Sequence, residues 1–195
     1  MSEKDNKVKY NLKNVHWAEL TDEETFEYGP VKPWPGAVSL SLSAEGDTNV
    51  FYADGIAYYT SVSNNGYTGD FESALVPDEF SEEIMKNTAD ANGVQLEDAN
   101  VVPKAFALLF EFDGDVKAIR RVLYNCKMTR PSIESETTQG SIEPKTESGT
   151  LTATPLLHSE TGMALVQGKT TVNTKADTYS AWYNQVYTPS TTPTA

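Results

Sequence analysis

The stretch Gly66-Tyr67-Thr68-Gly69-Asp70-Phe71-Glu72-Ser73-Ala74-Leu75-Val76-Pro77-Asp78-Glu79-Phe80 decides the fold. Residues 67–75 read as a strand. Pro77 stops it, because proline brings no N–H to a ladder and fixes its own φ. Asp78, Glu79, Glu82 and Glu83 then suit the positive end of a helix, and Phe80 and Ile84 share one face of it. The pattern predicts one short helix near 78–88 inside a chain of strands: a mainly β (α+β) protein with a β-sandwich or barrel-like core.

Upstream, residues 8–18 alternate loosely as a strand, and residues 19–27 are acidic. Pro30, Pro33 and Pro35 exclude regular structure over 30–35. From Ala37 the alternation is clean: Val38, Leu40, Leu42 and Ala44 on one face, Ser39, Ser41 and Ser43 on the other. Residues 50–59 read as a hairpin around Asp54-Gly55, pairing Ala53 with Ile56, Tyr52 with Ala57 and Phe51 with Tyr58. Its arms are apolar on both faces, so both should be covered. Residues 63–66 form the next turn.

Downstream, residues 104–112 carry the strongest core signal, with Phe106, Leu108, Phe110 and Phe112 on one face. Asp113-Gly114 turns the chain into a strand over 116–128, whose Ala118, Val122, Tyr124, Cys126 and Met128 share a face. Residues 132–154 are Thr/Ser/Glu-rich with weak alternation, read as exposed strands, and 168–175 is another. Tyr179, Trp182, Tyr183, Val186 and Tyr187 form a helical stripe, capped by Asp177 and stopped by Pro189; an aromatic strand is the alternative. Residues 1–7 read as a flexible arm, 8–187 as a single domain and 188–195 as a flexible Thr/Pro tail.

Fifteen basic against 28 acidic residues give a net charge of −13 over 195 residues. That balance argues against wrapping nucleic acid, which needs Lys and Arg to displace counterions from phosphates. It does not argue against enclosing nucleic acid without adhering to it. The single cysteine, Cys126, excludes an internal disulfide and any all-cysteine metal site, and its alternating neighbours mark it as a small buried hydrophobe. No apolar run approaches the ~20 residues of a membrane span, and the polar start carries no signal peptide.

Catalytic chemistry finds no constellation. His16 and His158 are far apart in sequence, Asp113-Gly114-Asp115 lacks the alternating ligands of a calcium loop, and neither a phosphate-cradling glycine loop nor a nucleophile elbow is present. The reading is of a protein that is not an enzyme and takes no cofactor. Arg120, Arg121, Lys127 and Arg130 are the one basic cluster, too sparse for a groove that tracks nucleic acid.

Several segments, in this order, resemble the major tail proteins of long-tailed, non-contractile bacteriophages: Asn14-Val15-His16-Trp17-Ala18, the Gly66–Phe80 run, Pro103-Lys104-Ala105-Phe106-Ala107-Leu108, Tyr124-Asn125-Cys126-Lys127, Arg130-Pro131-Ser132 and Ala181-Trp182-Tyr183-Asn184-Gln185-Val186-Tyr187-Thr188-Pro189. The likeness runs from about Lys13 to Pro189. It implies a virion protein, assembled in the host cytoplasm, that stacks as hexameric rings into a tail tube around a tape-measure protein, between tail-terminator and distal tail proteins. DNA would pass through the channel without being bound, and six copies would line it with about −78 charges, six times −13. A protein of the tail terminus, or the tube of a contractile machine, would share much of this pattern.

On this reading a ring needs a head-to-tail interface that closes, plus a second one for stacking. Phe51, Tyr52, Ile56, Tyr58 and Tyr59 of the hairpin are the candidates for one joint. Arg120 and Arg121, set to pair with acidic strands of a neighbour, and Trp182 and Tyr183 complete the candidate interface residues. The competing readings are a monomeric β-sandwich that binds carbohydrate or a surface through Trp17, Trp34 and Trp182, and a hydrolase using a carboxylate pair.

Overall fold

The computed structural model describes residues 5–137, 140 and 142–189. Strand β1 (Lys9–Asp22) is long because two asparagines bend it without ending it. Asn11 and Asn14 hold φ of 56° and 51°, left-handed backbone that asparagine tolerates better than most residues. Each falls at a register shift against the neighbouring strand. The short β2 (Glu27–Tyr28) and β3 (Lys32–Pro33) both pair with β1, so the segment 30–35, expected to hold no regular structure, carries a two-residue edge strand, a position that tolerates proline. Then come β4 (Ala37–Glu45), β5 (Thr48–Ala53), β6 (Ile56–Val62), β7 (Gly66–Ser73) and helix α1 (Asp78–Glu83). The second half holds β8 (Thr88–Ala89), β9 (Gln95–Leu96), β10 (Phe106–Gly114), β11 (Ile119–Met128), β12 (Glu147–Ala153), β13 (Leu156–His158), β14 (Met163–Leu165), β15 (Gln167–Lys169) and helix α2 (Ala176–Ser180).

One antiparallel sheet organises the chain in the order β2-β1-β10-β11-β12-β7-β4, with β3 added on β1 and β15 on β11. It is mainly β, as the alternation predicts, and β4 is left as a terminal strand, so the sheet does not close into a barrel. The two faces of the sheet build two cores. The inner one joins Val15, Trp17, Phe71, Phe106, Leu108, Phe110, Leu123 and Leu151, with Trp34, Phe80 of α1 and, just after the helix, Ile84 and Met85 packed among them. The outer one covers only the β1–β10–β11 half, through Ala18, Leu20, Ala107, Leu109, Val122 and Tyr124, and is roofed by Phe26, Leu156, Trp182 and Val186. Residues 105–110 are therefore all buried, the unbroken apolar run of a strand covered on both sides.

Three expectations are corrected by bulges and short turns. The face assigned to Val122, Tyr124, Cys126 and Met128 is split. Phe106 stands opposite Cys126 but Leu108 opposite Leu123, so β11 carries an extra residue there. Val122 and Tyr124 go to the outer core while Leu123, Cys126 and Met128 go to the inner one, because a one-residue slip reverses every following side chain. In the hairpin, Ala53–Ile56 and Tyr52–Ala57 pair as expected, but Phe51 faces Tyr59, not Tyr58, which is left as the extra residue of a bulge. Helix α1 stops at Glu83, short of residue 88.

The C-terminal stripe also differs. Helix α2 ends at Ser180, its N-cap is Lys175, and Asp177 lies within the first turn without capping it. Beyond it, Trp182 N–H donates to Tyr179 O and Asn184 N–H to Ala181 O, three-residue closures that tighten the chain while still turning Trp182 and Val186 inward. Among the described residues, of the exposed strands expected over 132–154 Glu147–Ala153 is realised, with Leu151 and Ala153 buried on one face, and near 168–175 Gln167–Lys169 is realised. Cys126 is fully buried, and burial pushes its thiol up, so it stays protonated. Of the N-terminal arm expected over 1–7, residues 1–4 lie outside the described residues. Asn6 Oδ1 accepts from Val116 N (2.8 Å) and Lys117 N (3.0 Å), and Lys7 N donates to Asp115 Oδ1 (2.7 Å), so this part is tied to the β10–β11 turn. Of the tail expected over 188–195, residues 190–195 lie outside the described residues.

Gly66 fixes the corner where β7 leaves the turn. Its φ is 111°, and a Cβ there would lie 2.0 Å from the Ala153 carbonyl oxygen. Both the strain and the collision oppose any side chain, so Gly66→Ala should lower unfolding free energy by roughly 3 kcal/mol, read from the urea midpoint.

Candidate assembly surfaces

Strands β5 and β6 continue the β4–β7 pair outward as a two-stranded arm. Between the two pairs only Asn65 N to Glu45 O (2.8 Å) and Ser63 N to Asp47 O (2.9 Å) carry the ladder. Six residues of β5 reach roughly 20 Å beyond the sheet. Paired residues share a face, so Phe51, Tyr59 and Ile56 lie on one side and Tyr52 with Val50 on the other. Both sides are bare: Phe51 is 61% exposed, Tyr58 70%, and Tyr52, Ile56 and Tyr59 lie between. The sequence reading that both faces need cover meets an arm that the described residues leave open. At ~150–250 Å² per aromatic, these five side chains leave on the order of 600 Å² of apolar surface open.

The second surface lies where the outer core stops. Over β12, β7 and β4 one sheet face is bare and polar in three cross-strand rows. Ser39, Glu72 and Ser148 form one row, Ser41, Asp70 and Thr150 the next, and Ser43, Thr68 and Thr152 the third. Seven hydroxyls and two carboxylates thus tile a flat patch. Ser39 Oγ donates to Glu72 Oε2 (2.9 Å), Thr146 Oγ1 donates to Glu72 Oε1, and Thr150 Oγ1 donates to Asp70 Oδ1 (3.3 Å). The Thr146 hydrogen bond, then that of Ser39, holds the Glu72 carboxyl below its usual range, so it stays ionised. The signal for this face was in the sequence, in the Thr68/Asp70/Glu72 alternation between Tyr67 and Phe71, but nothing there said that the face lacks a covering layer.

The remaining candidates have work within their own chain. Arg120 Nε donates to Glu111 Oε2 (2.8 Å), and Arg120 Nη1 donates to Tyr179 O. The Arg120 guanidinium lies 3.9 Å from the Tyr179 ring centroid and 5.1 Å from that of Tyr183. It therefore latches the C-terminal segment onto the sheet, with His16 against Tyr183 on the other side (4.6 Å). Trp182 is buried in the outer core and stacks on Tyr187. Burial pushes the Tyr183 hydroxyl up. Arg121 Nη1 donates to Gln167 Oε1 (2.8 Å). Arg130 pairs with Glu97 (2.9 Å).

All three tryptophans are 1–3% exposed, which removes the sugar-stacking platform that a carbohydrate-binding reading needs. Among the described residues no group of three His, Cys, Asp or Glu side chains is placed to hold a metal ion, and no helix is long and apolar enough to cross a membrane. His158 is buried, with Nδ1 2.9 Å from Thr161 Oγ1.

No protein-family model and no curated protein matches the sequence. Among solved structures, the fold is similar to the tube terminating cap of the anti-feeding prophage, determined by cryo-electron microscopy. The identity is 15%, the TM-score 0.40, and the match covers 88% of this chain and 99% of that one.

Proposed function

We propose that this chain is a structural subunit of a phage tail tube, a major tail protein of the long-tailed, non-contractile type, whose activity is polymerisation into stacked, hexameric rings. The observation that carries the reading is the arm Thr48–Val62: a two-stranded ribbon, aromatic on both faces, whose aromatic side chains are left exposed by the described residues. An isolated hairpin of this kind is at best marginally stable in water. A second copy gives it the missing packing, and repetition of that joint builds a polymer. The free edge of terminal strand β4 supports the same reading, since unpaired edges join sheets between subunits. The tape-measure, terminator and distal proteins would then be its partners and the virion its place.

The bare hydroxyl-and-carboxylate face is our candidate for the channel wall. DNA carries one negative charge per ~1.7 Å, and a wall of Ser and Thr with the carboxylates of Asp70 and Glu72 repels it; Lys127, opposite Thr152 at the end of the third row, is a cation at its border. Asp70→Lys with Glu72→Lys should leave tubes intact but slow or trap DNA ejection from reconstituted particles, measured by dye release. Unchanged ejection would place the wall elsewhere.

The reading is tested by negative-stain imaging of the purified chain at rising concentration. Rings or tubes are expected. A lasting monomer would contradict it.

A further inference from the structure

Resting on the tube-subunit reading, we infer that the arm of one copy seats its tip in a specific cleft of the next, at the open mouth of the inner core. This cleft, of about 340 Å³, has a floor of Leu40, Leu42, Phe110, Phe112 and Leu123. It is open because β11 changes partners: β15 takes Arg121–Leu123 while β12 takes Cys126–Met128, and Gln167 Nε2 donates to Tyr67 OH (2.8 Å) across the gap to β7. The floor is thus the margin of the inner core, with Leu40, Leu42 and Phe112 half-buried and Phe110 and Leu123 buried behind them.

The rim says what should enter. Arg121 stands directly opposite Lys169 on the neighbouring strand, a like-charge pair that destabilises a sheet on its own. Lys117, whose ammonium lies 4.2 Å from the Tyr179 ring centroid, flanks the adjoining pocket with the same two residues and with Asp5. Among the described residues none of these three cations has a carboxylate within 4.0 Å. Arg121 Nε is out of contact with water and has no hydrogen-bond partner. A guanidinium partly desolvated without a counterion is costly, in a chain with nearly twice as many acids as bases. The site is built for an anion on an apolar stem.

The arm has that chemistry. From residue 33 through 85 the chain contains no Lys or Arg, and all nine charged side chains there are Asp or Glu. The arm tip is Asp54, with Tyr52 and Ile56 beside it, both exposed. A Cβ added at neighbouring Gly55 would meet nothing within 4 Å, so the tip is free of its own fold. Its own ladder holds the arm extended, so the occupant is a second copy. Donor and acceptor are different surfaces, which makes the contact head-to-tail. Asp54 meets the Arg121–Lys169 pair while Ile56, on one face of the arm, covers the floor.

The test uses full-length chain under conditions where wild type assembles. Asp54→Cys protein is mixed with Leu42→Cys protein and oxidised; the native Cys126 is fully buried and does not compete. A disulfide dimer is expected, absent when Thr152→Cys on the far sheet face replaces Leu42→Cys. In parallel, Arg121→Glu with Lys169→Glu should raise the concentration needed for assembly at least tenfold, and adding Asp54→Lys should restore it; matching thermal unfolding of the monomers excludes misfolding as the cause. Tubes that form with no Asp54–Leu42 cross-link, or with equal cross-linking to Thr152, overturn this joint alone. A wild-type chain that never associates overturns the tube-subunit reading and the joint with it.

Discussion

Tyr58→Asp, or Phe51→Asp, should leave a monomer as stable as wild type and suppress tube growth at concentrations where wild type assembles. The two halves of that result follow from one fact: these rings are 70% and 61% exposed and touch little of their own chain. Removing an exposed ring costs the monomer within about 0.5 kcal/mol. In a joint the same ring becomes a buried aromatic anchor, and truncating one costs roughly 2–4 kcal/mol. Introducing a carboxylate among apolar side chains adds a desolvation cost on top. Each joint in a polymer is affected equally, so the concentration at which tubes appear should rise by roughly 30- to 700-fold. Sedimentation velocity reads the assembly and urea denaturation reads the monomer. Loss of monomer stability by more than about 2 kcal/mol would instead place the arm in the subunit's own core.

Phe80→Ala should show the opposite pattern: a large loss of stability with the arm unaltered. Helix α1 has six residues and no side-chain cap at Pro77, far below the length at which a helix stands alone in water. What holds it is Phe80, fully buried, edge-on to Trp17 (5.2 Å) and Phe106 (5.0 Å) and tilted against Trp34 (4.4 Å). Those three partners come from β1, β10 and the segment before β4, so one ring fastens the helix to elements far apart in the chain. Its removal should cost about 3–5 kcal/mol, a large part of a typical 5–15 kcal/mol total. Phe80→Leu, which keeps most of the volume, should cost about half as much. A Phe80→Ala chain with an unchanged urea midpoint would mean that α1 does not fasten the core.

Much of this was legible in the sequence, and the reasons are local. The Leu40/Leu42 alternation, the apolar run of β10, the Asp54-Gly55 turn and the break at Pro77 each depend on a few adjacent residues, and the structure keeps all four. What was not legible depends on the partner strand. The bulge that sends Leu123 and Cys126 to one core and Tyr124 to the other leaves no mark in β11 itself. The pairing of Phe51 with Tyr59 has the same cause. The roles of the basic pair divide for a similar reason. Arg120 and Arg121 are neighbours in sequence, but alternation sends them to opposite faces: one to Glu111 and the C-terminal tyrosines, the other to the mouth of the inner core. Trp182 reads as amphipathic surface until the outer core is seen to lack a roof without it.

The central claim is that the arm's aromatic faces are covered only by another copy of the chain. Amide hydrogen exchange over residues 48–62 tests it most directly, compared between a dilute sample and one concentrated past the onset of assembly. The expected result is rapid exchange when dilute and at least tenfold slower exchange once associated, while β10 stays protected in both. Exchange in the arm that is the same at both concentrations would contradict it.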